Sequence, residues 1–142
     1  MTALTLEKAN AIVADTLVKG AELKLRPLAV AVLDSGGHLV AFQRQDGASI
    51  MRPQIAMGKA FGALALGTGS RALHGMAVER PHFIEGLSMA SGGRIIPVPG
   101  GVLIKDAGGA VLGAVGVTGD TSDNDEACAV HAITKAGFAA QA

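Results

Sequence analysis

Lys59 has the surroundings in this sequence that most clearly predict chemistry. Its neighbours at helical spacing, Ile55, Gly62, Ala63 and Leu66, form an apolar stripe. Burial lowers the pKa of such a lysine, whose amine then binds an anionic substrate or acts as a base. The alternative is a structural lysine whose stem is buried while its amine reaches water at a subunit boundary.

Two histidines and two glutamates fall within residues 74–85 and suggest a ligand site. They are His74, Glu79, His82 and Glu85, and the last two share a helix face if this segment is helical. A zinc helix needs two histidines one turn apart and a third ligand, which this segment lacks. We therefore expect these four residues to be polar surface residues rather than a metal site. A single imidazole suffices as an axial ligand of haem iron, so His82 is the first candidate ligand and His74 the second.

An acidic run precedes the last expected helix and superficially resembles a calcium loop. Asp120, Asp123, Asp125 and Glu126 lack the central glycine and the distal glutamate of an EF-hand. Helix capping, with Ser122 or Asp123 as the N-cap, explains these acids better.

The remaining candidates come from three parts of the chain. The doublet Gly92-Gly93 beside Arg94 offers backbone N–H groups and a charge to a carboxylate or phosphate, although no nucleotide-binding glycine pattern is present. Cys128, the only cysteine, is expected to be a buried, inert thiol. His131 is expected to be a partly buried structural histidine, or a base if its helix face lines a pocket.

The hydrophobic pattern and the turn residues divide the chain into alternating helices and hairpins. A break near Pro81 is expected, and the two prolines of residues 94–99 exclude a central strand there. The predicted helices are 4–25, 54–67, one or two within 70–90, and 125–140; the predicted strands are 28–33, 38–44, 101–105 and 110–117.

This order predicts one α+β domain over residues 1–142, with an antiparallel sheet flanked by helices. Hydrophobic residues make up 49% of the chain and charged ones 17%, so we expect a homo-oligomer that covers the excess apolar surface. Zero net charge and the absence of Trp and Tyr argue against nucleic acid. The longest run without charge, residues 107–119, is too short to span a membrane. Charges at Glu7, Lys8 and Asp15 disfavour a signal peptide, so a cytoplasmic protein is expected.

Several motifs together resemble the GlcG/HbpS-type domain, which is also fused to some PduO-type corrinoid adenosyltransferases. They are Asp34-Ser-Gly-Gly-His-Leu-Val-Ala-Phe-Gln-Arg44, Lys59-Ala60 and Asp123-Asn-Asp-Glu-Ala-Cys-Ala129. The resemblance spans nearly the whole chain and implies a compact, profilin-like α+β domain that assembles with itself. It also implies haem binding or haem degradation, as in studied members, and a setting in small-molecule catabolism.

Two departures from the family pattern concern its haem chemistry. The first predicted helix contains no histidine, so an axial ligand that some relatives supply from this helix has no counterpart here. Where the family commonly has an Ala-Gly pair after the last motif, this chain has His131-Ala132. A small residue has therefore become an imidazole.

Three functions remain open from the sequence. The first is binding of haem, the one candidate cofactor, or of a related tetrapyrrole, with His74, His82 or His131 on the iron. The second is a cofactor-free isomerase or tautomerase acting on a small carboxylate, and the third is a non-catalytic accessory module. In the isomerase or tautomerase, Lys59 or Arg52 would hold the carboxylate, and His131 or Asp34 would move a proton.

Overall fold

Five helices and five strands follow one another along residues 3–142, the part of the chain that the computed structural model describes. They are α1 (Leu6–Glu22), β1 (Ala29–Asp34), β2 (Leu39–Arg44), α2 (Arg52–Leu66), α3 (Ser70–Glu79), α4 (Pro81–Ala90), β3 (Gly101–Lys105), β4 (Val111–Thr118), α5 (Ser122–Lys135) and β5 (Ala139–Gln141). The α+β class and both hairpins predicted from the sequence are confirmed.

The strands form one sheet in the order β2-β1-β4-β3-β5, and every neighbouring pair is antiparallel. Helices α1 and α5 pack together on one face, whereas α2 crosses the other face over β1, β4 and β3. Helix α3 packs on α2, and α4 packs on α3. No helix within residues 3–142 has both the length and the hydrophobicity needed to cross a bilayer.

Local sequence signals explain where several helices begin. The Thr5 hydroxyl accepts a hydrogen bond from the Lys8 amide at 3.1 Å and caps α1. Pro53 lies in the first turn of α2, and Pro81 opens α4, so the predicted break near Pro81 is confirmed. Residues 94–99 form no strand, as the two prolines require.

The end of the chain differs from the sequence-based prediction in two respects. The last helix was expected over 125–140, but α5 ends at Lys135 and the short strand β5 then pairs with β3. Gly137 ends the helix, after which Phe138 turns into the core. The N-cap of α5 is Thr121, whose hydroxyl accepts from the Asn124 amide at 3.2 Å, rather than Ser122 or Asp123.

The two faces of the sheet are filled by different kinds of side chain. Branched residues such as Val30, Val32 and Ile104 pack against Ile12 and Ile133 on the face covered by α1 and α5. On the other face α2 presents alanines to β1, β3 and β4, so its backbone lies close to the sheet. This close approach fixes the position of α2, the helix that carries most of the candidate site.

Gly116→Ala should lower the free energy of unfolding by about 1–3 kcal/mol, the usual cost of overpacking. A Cβ atom at Gly116 would overlap the Ala56 carbonyl oxygen and lie 3.1 Å from the Ala60 nitrogen, so α2 would have to move away. Urea unfolding measures the loss. Gly75→Ala on α3 is the control, because a Cβ there meets open space and alanine favours a helix. Equal stability of the two variants would contradict this packing.

Candidate functional site

An apolar cleft of about 440 Å³ lies beside α2, at the end of the sheet where the turn between β1 and β2 stands. Three segments form it: the end of β1 with the turn and the start of β2, one side of α2, and residues 93–96. Its walls are Leu33, Gly37, Leu39, Met51, Gln54, Ile55, Met57, Gly58, Phe61, Gly93, Arg94 and Ile96. This volume is within the range of about 300–1,000 Å³ typical of small-molecule sites.

The segment after α4 reaches the cleft because the chain reverses at a glycine doublet. Gly92 and Gly93 take φ values of +76° and +78°, which favour glycine strongly. The Gly93 amide donates to the Ser88 carbonyl at 2.7 Å, and the Ile96 amide donates to the Gly58 carbonyl at 3.2 Å. The predicted ligand-binding doublet therefore shapes one wall, and Gly93 lines the cleft.

Arg94 places a positive charge at the rim of the cleft. Its guanidinium carbon lies 4.0 Å from the centroid of the Phe61 ring, a cation–π contact, and its Nε donates to the Ser91 carbonyl at 2.7 Å. These contacts orient a side chain that is otherwise exposed. The apolar walls and the Arg94 guanidinium together suit an apolar ligand that carries a carboxylate.

Lys59 does not line this cleft. Its Nζ atom donates to the Val117 carbonyl at 2.9 Å and lies 3.3 Å from the Asp125 carboxylate, and the residue is only 2% exposed. Burial lowers the pKa of Lys59 and raises the pKa of Asp125, while their mutual attraction opposes both shifts. The pair joins α2 to α5 around the end of the sheet, so its contacts are those of a structural ion pair.

Arg52 lies near this ion pair, and its side chain is hydrogen-bonded to another residue of the protein. Its guanidinium donates to the Thr118 hydroxyl at 2.7 Å, and its charge further lowers the pKa of Lys59. Asp34 is far from both, because in the β1–β4 register Asp34 pairs with Gly113 while Ala29 pairs with Thr118. Lys59 and Asp34 are thus at opposite ends of the sheet.

The predicted histidines are dispersed. His74 and His82 are exposed on α3 and α4, and His131 is half-buried on α5, on the other side of the sheet from α2. None of the three lines the apolar cleft. Within the described part of the chain, no three His, Cys, Asp or Glu side chains are grouped as metal ligands.

A second cleft, of about 530 Å³, separates the end of α1 from the end of β2 and the residues that follow it. Its walls include the polar side chains Gln43, Arg44, Gln45 and Asp46. Arg44 already donates to the Ala48 carbonyl at 2.6 Å. This cleft offers less apolar surface than the one beside α2.

Cys128 is fully buried, as predicted. Burial raises the pKa of its thiol to about 11, so the reactive thiolate is scarce at neutral pH. The thiol therefore belongs to the core on the α1 and α5 face and takes no part in the site.

Asp120, in the acidic loop before α5, should make the stability of the fold sensitive to acid. A hydrogen bond from the Asn124 side chain and another from the Arg26 amide hold the pKa of Asp120 well below its ordinary 3.8. A depressed folded-state pKa gives stability that is present above pH 3.8 and is lost as the pH falls below it. In Asp120→Asn, the free energy of unfolding should therefore fall less steeply below that pH, as acid and urea titrations would measure. An unchanged slope would contradict this assignment.

Sequence reasoning missed two parts of this arrangement. It assigned Asp125 to helix capping, although a lysine inside an apolar stripe requires a buried carboxylate, and Asp125 lies one turn before the buried Cys128 and Ala129. It also missed the wall residues Leu39, Met51 and Phe61. The available signal was that Phe61 and Met57 lie one turn apart on a helix with almost no charge.

A family model described as "Haem degrading protein HbpS-like" matches residues 4–134. The chain is also 31% identical, over 130 residues, to the uncharacterized 15.0 kDa protein of the dhaT-dhaS intergenic region of Citrobacter freundii. That alignment covers 92% of this chain and 89% of the relative.

Two solved structures share the fold. A complex described as PduOC with haem superposes with a TM-score of 0.87 at 21% identity, covering 99% of this chain and all of the other. A double mutant of Streptomyces reticuli HbpS superposes with a TM-score of 0.80 at 25% identity, covering 95% of this chain and 88% of the other. The architecture is therefore common to proteins of quite different sequence.

Proposed function

Because this chain belongs to the HbpS-like family, we propose that it binds haem or a closely related tetrapyrrole in the apolar cleft beside α2. The observation that carries the proposal is an apolar cleft of suitable volume with one oriented arginine at its rim. The haem complex of a protein with the same fold is consistent with it.

The residues present fit the chemistry of a porphyrin. The macrocycle is flat and apolar, and the leucines, methionines, Ile55, Ile96 and Phe61 of the walls would exclude water from it. The propionates are anionic, and Arg94 would hold one of them through a charge-assisted hydrogen bond. When bound, haem would supply an iron that exchanges axial ligands and electrons, while this chain supplies the apolar enclosure and the orientation.

The assignment of the iron to His74 or His82 stays a prediction. His74 and His82 are exposed on helices that do not line the cleft, and His131 is half-buried on the opposite side of the sheet. In a single chain, none of the three is placed to reach a porphyrin enclosed there.

The cofactor-free enzyme stays a prediction with less structural support. Lys59 is already satisfied by Asp125 and the Val117 carbonyl, so a carboxylate ligand would have to displace a buried ion pair. An accessory role without turnover is compatible with ligand binding and needs no further residues.

Self-association is a separate part of the proposal. Leu39 and Met51 line the cleft and are more than half exposed, and the neighbouring Ile50 is 86% exposed. A second copy that packs on these side chains would cover the mouth of the cleft. Sedimentation velocity should detect an oligomer. A monomer at micromolar concentration would contradict self-association.

Hemin titration, followed by Soret absorbance, tests the function. Wild-type protein should give a saturable change at one hemin per chain, and Arg94→Met should bind about tenfold more weakly because one charged contact to a propionate is lost. Arg80→Met is the matched control, since Arg80 stacks on Phe83 at 4.3 Å away from the cleft. A wild-type protein without saturable binding would overturn the proposal, as would equal losses in both arginine variants.

A further inference from the structure

The wall of the apolar cleft contains two thioethers and no other side chain of the kinds that proteins use as axial ligands of haem iron. Those kinds are histidine, cysteine, tyrosine and methionine. The chain contains no tyrosine, and none of its four histidines lines the cleft. Cys128 is buried in the core on the opposite face of the sheet. Met51 and Met57 both line the cleft, so they are the two candidates.

Helical spacing places Met57 on the side of α2 that faces the cleft. Gln54, Met57 and Phe61 follow one another at intervals of three and four residues and so share one side of the helix, and all three line the cleft. Met57 is half-buried and packs, as Phe61 does, against the buried cluster that includes Leu33 and Ala60. Its thioether therefore belongs to the inner wall, where the cleft meets the core.

Met51 is less well prepared to bind a metal. It is the N-cap residue of α2 and is 57% exposed, so its side chain keeps much of its rotational freedom in solvent. Fixing such a side chain costs conformational entropy, and a thioether is a weak donor that gives little in return. Packing against the core has already restricted Met57, which therefore binds a metal at a smaller entropic cost.

Resting on the proposed function, we propose that the sulfur atom Sδ of Met57 is an axial ligand of the haem iron in the apolar cleft.

The position of Arg94 agrees with this assignment. Its guanidinium lies over the Phe61 ring, and Phe61 is one turn of α2, about 6 Å along the helix axis, from Met57. In haem the iron is at the centre of the macrocycle and the propionates are at its edge. The ligand for the iron and the cation for a propionate are thus separated along the cleft, as one bound haem requires.

The absorption spectrum of the hemin-loaded protein reports the ligand directly. The ferric wild type should show a sulfur-to-iron charge-transfer band in the far red, and Met57→Leu should abolish this band with little change in side-chain volume. The reduction potential of the iron should fall in Met57→Leu, because a methionine ligand raises it. Met51→Leu is the matched control and should keep both the band and the potential.

Two further measurements distinguish a ligand from a residue that only packs. Met57→His should replace the charge-transfer band with the spectrum of an imidazole ligand and bind hemin about tenfold more tightly, whereas Met51→His should keep the wild-type band. Iron-free protoporphyrin should bind Met57→Leu as tightly as wild type, because it offers no iron to the sulfur. Arg94→Met should weaken the binding of both porphyrins.

These results separate the inference from the proposed function. If the wild type binds hemin but shows no charge-transfer band, or if Met57→Leu keeps the band, the inference is wrong and the proposed function stands. A band that is lost in Met51→Leu instead assigns the iron to the other methionine and equally overturns the inference. A wild type that does not bind hemin overturns both.

Discussion

Replacing Lys59 with methionine is expected to lower the free energy of unfolding by about 3–5 kcal/mol, the usual cost of breaking a buried ion pair on one side. Methionine keeps the length of the side chain and removes its charge. Asp125, which is 1% exposed, would then be left without its cation inside the protein. The Val117 carbonyl would lose its side-chain donor as well. Urea unfolding monitored by circular dichroism measures the loss.

Two comparisons make this prediction specific. Lys135→Met breaks an exposed pair with Asp15 at 3.3 Å and should cost at most about 1 kcal/mol. The double variant Lys59→Met with Asp125→Asn removes both charges and should recover part of the loss, because the carboxylate is no longer buried unpaired. If Lys59→Met costs no more than Lys135→Met, the lysine is not held as the structure places it.

Ile55→Glu is expected to weaken hemin binding by at least about a hundredfold, or about 2.7 kcal/mol. Ile55 lines the cleft from α2 and is only partly buried, so the folded protein tolerates the change. A bound porphyrin would bury the new carboxylate against apolar walls, and the anionic propionates would repel it. Soret titration gives the affinity, with circular dichroism as the check that the fold persists.

Val78→Glu is the matched control for this variant. Val78 is 70% exposed on α3 and does not line the cleft, so the same charge should leave hemin affinity unchanged. Ile55→Gln separates charge from shape and should lose less affinity than Ile55→Glu. Unaltered binding by Ile55→Glu would place the ligand elsewhere on the protein.

Much of the fold was predictable because its signals are local. The glycine and aspartate turns between β1 and β2 and between β3 and β4, and the proline at the start of α4, act within a few residues. Strand β5 was missed because its three residues, Ala139–Gln141, carry no strand pattern of their own. Its pairing with β3 depends on a core into which Phe138 packs.

The candidate site was harder to predict because it depends on contacts between distant segments. Lys59 and Asp125 are 66 residues apart, and only the crossing of α2 over the end of β4 brings them together. The cleft likewise combines a hairpin turn, a helix and an irregular segment. Arg94 and Gly93 were singled out from the sequence and do line the cleft, whereas Phe61 was not, since an apolar side chain carries no chemical signature of its own.

The location of the iron tests the central claim most directly. A crystal structure of the hemin-loaded protein, with the iron found by its anomalous scattering, should place the metal between α2 and the Gly37–Leu39 turn, with a propionate on Arg94. Iron in the polar cleft between α1 and residues 43–46, or on a surface remote from Phe61, would contradict the account.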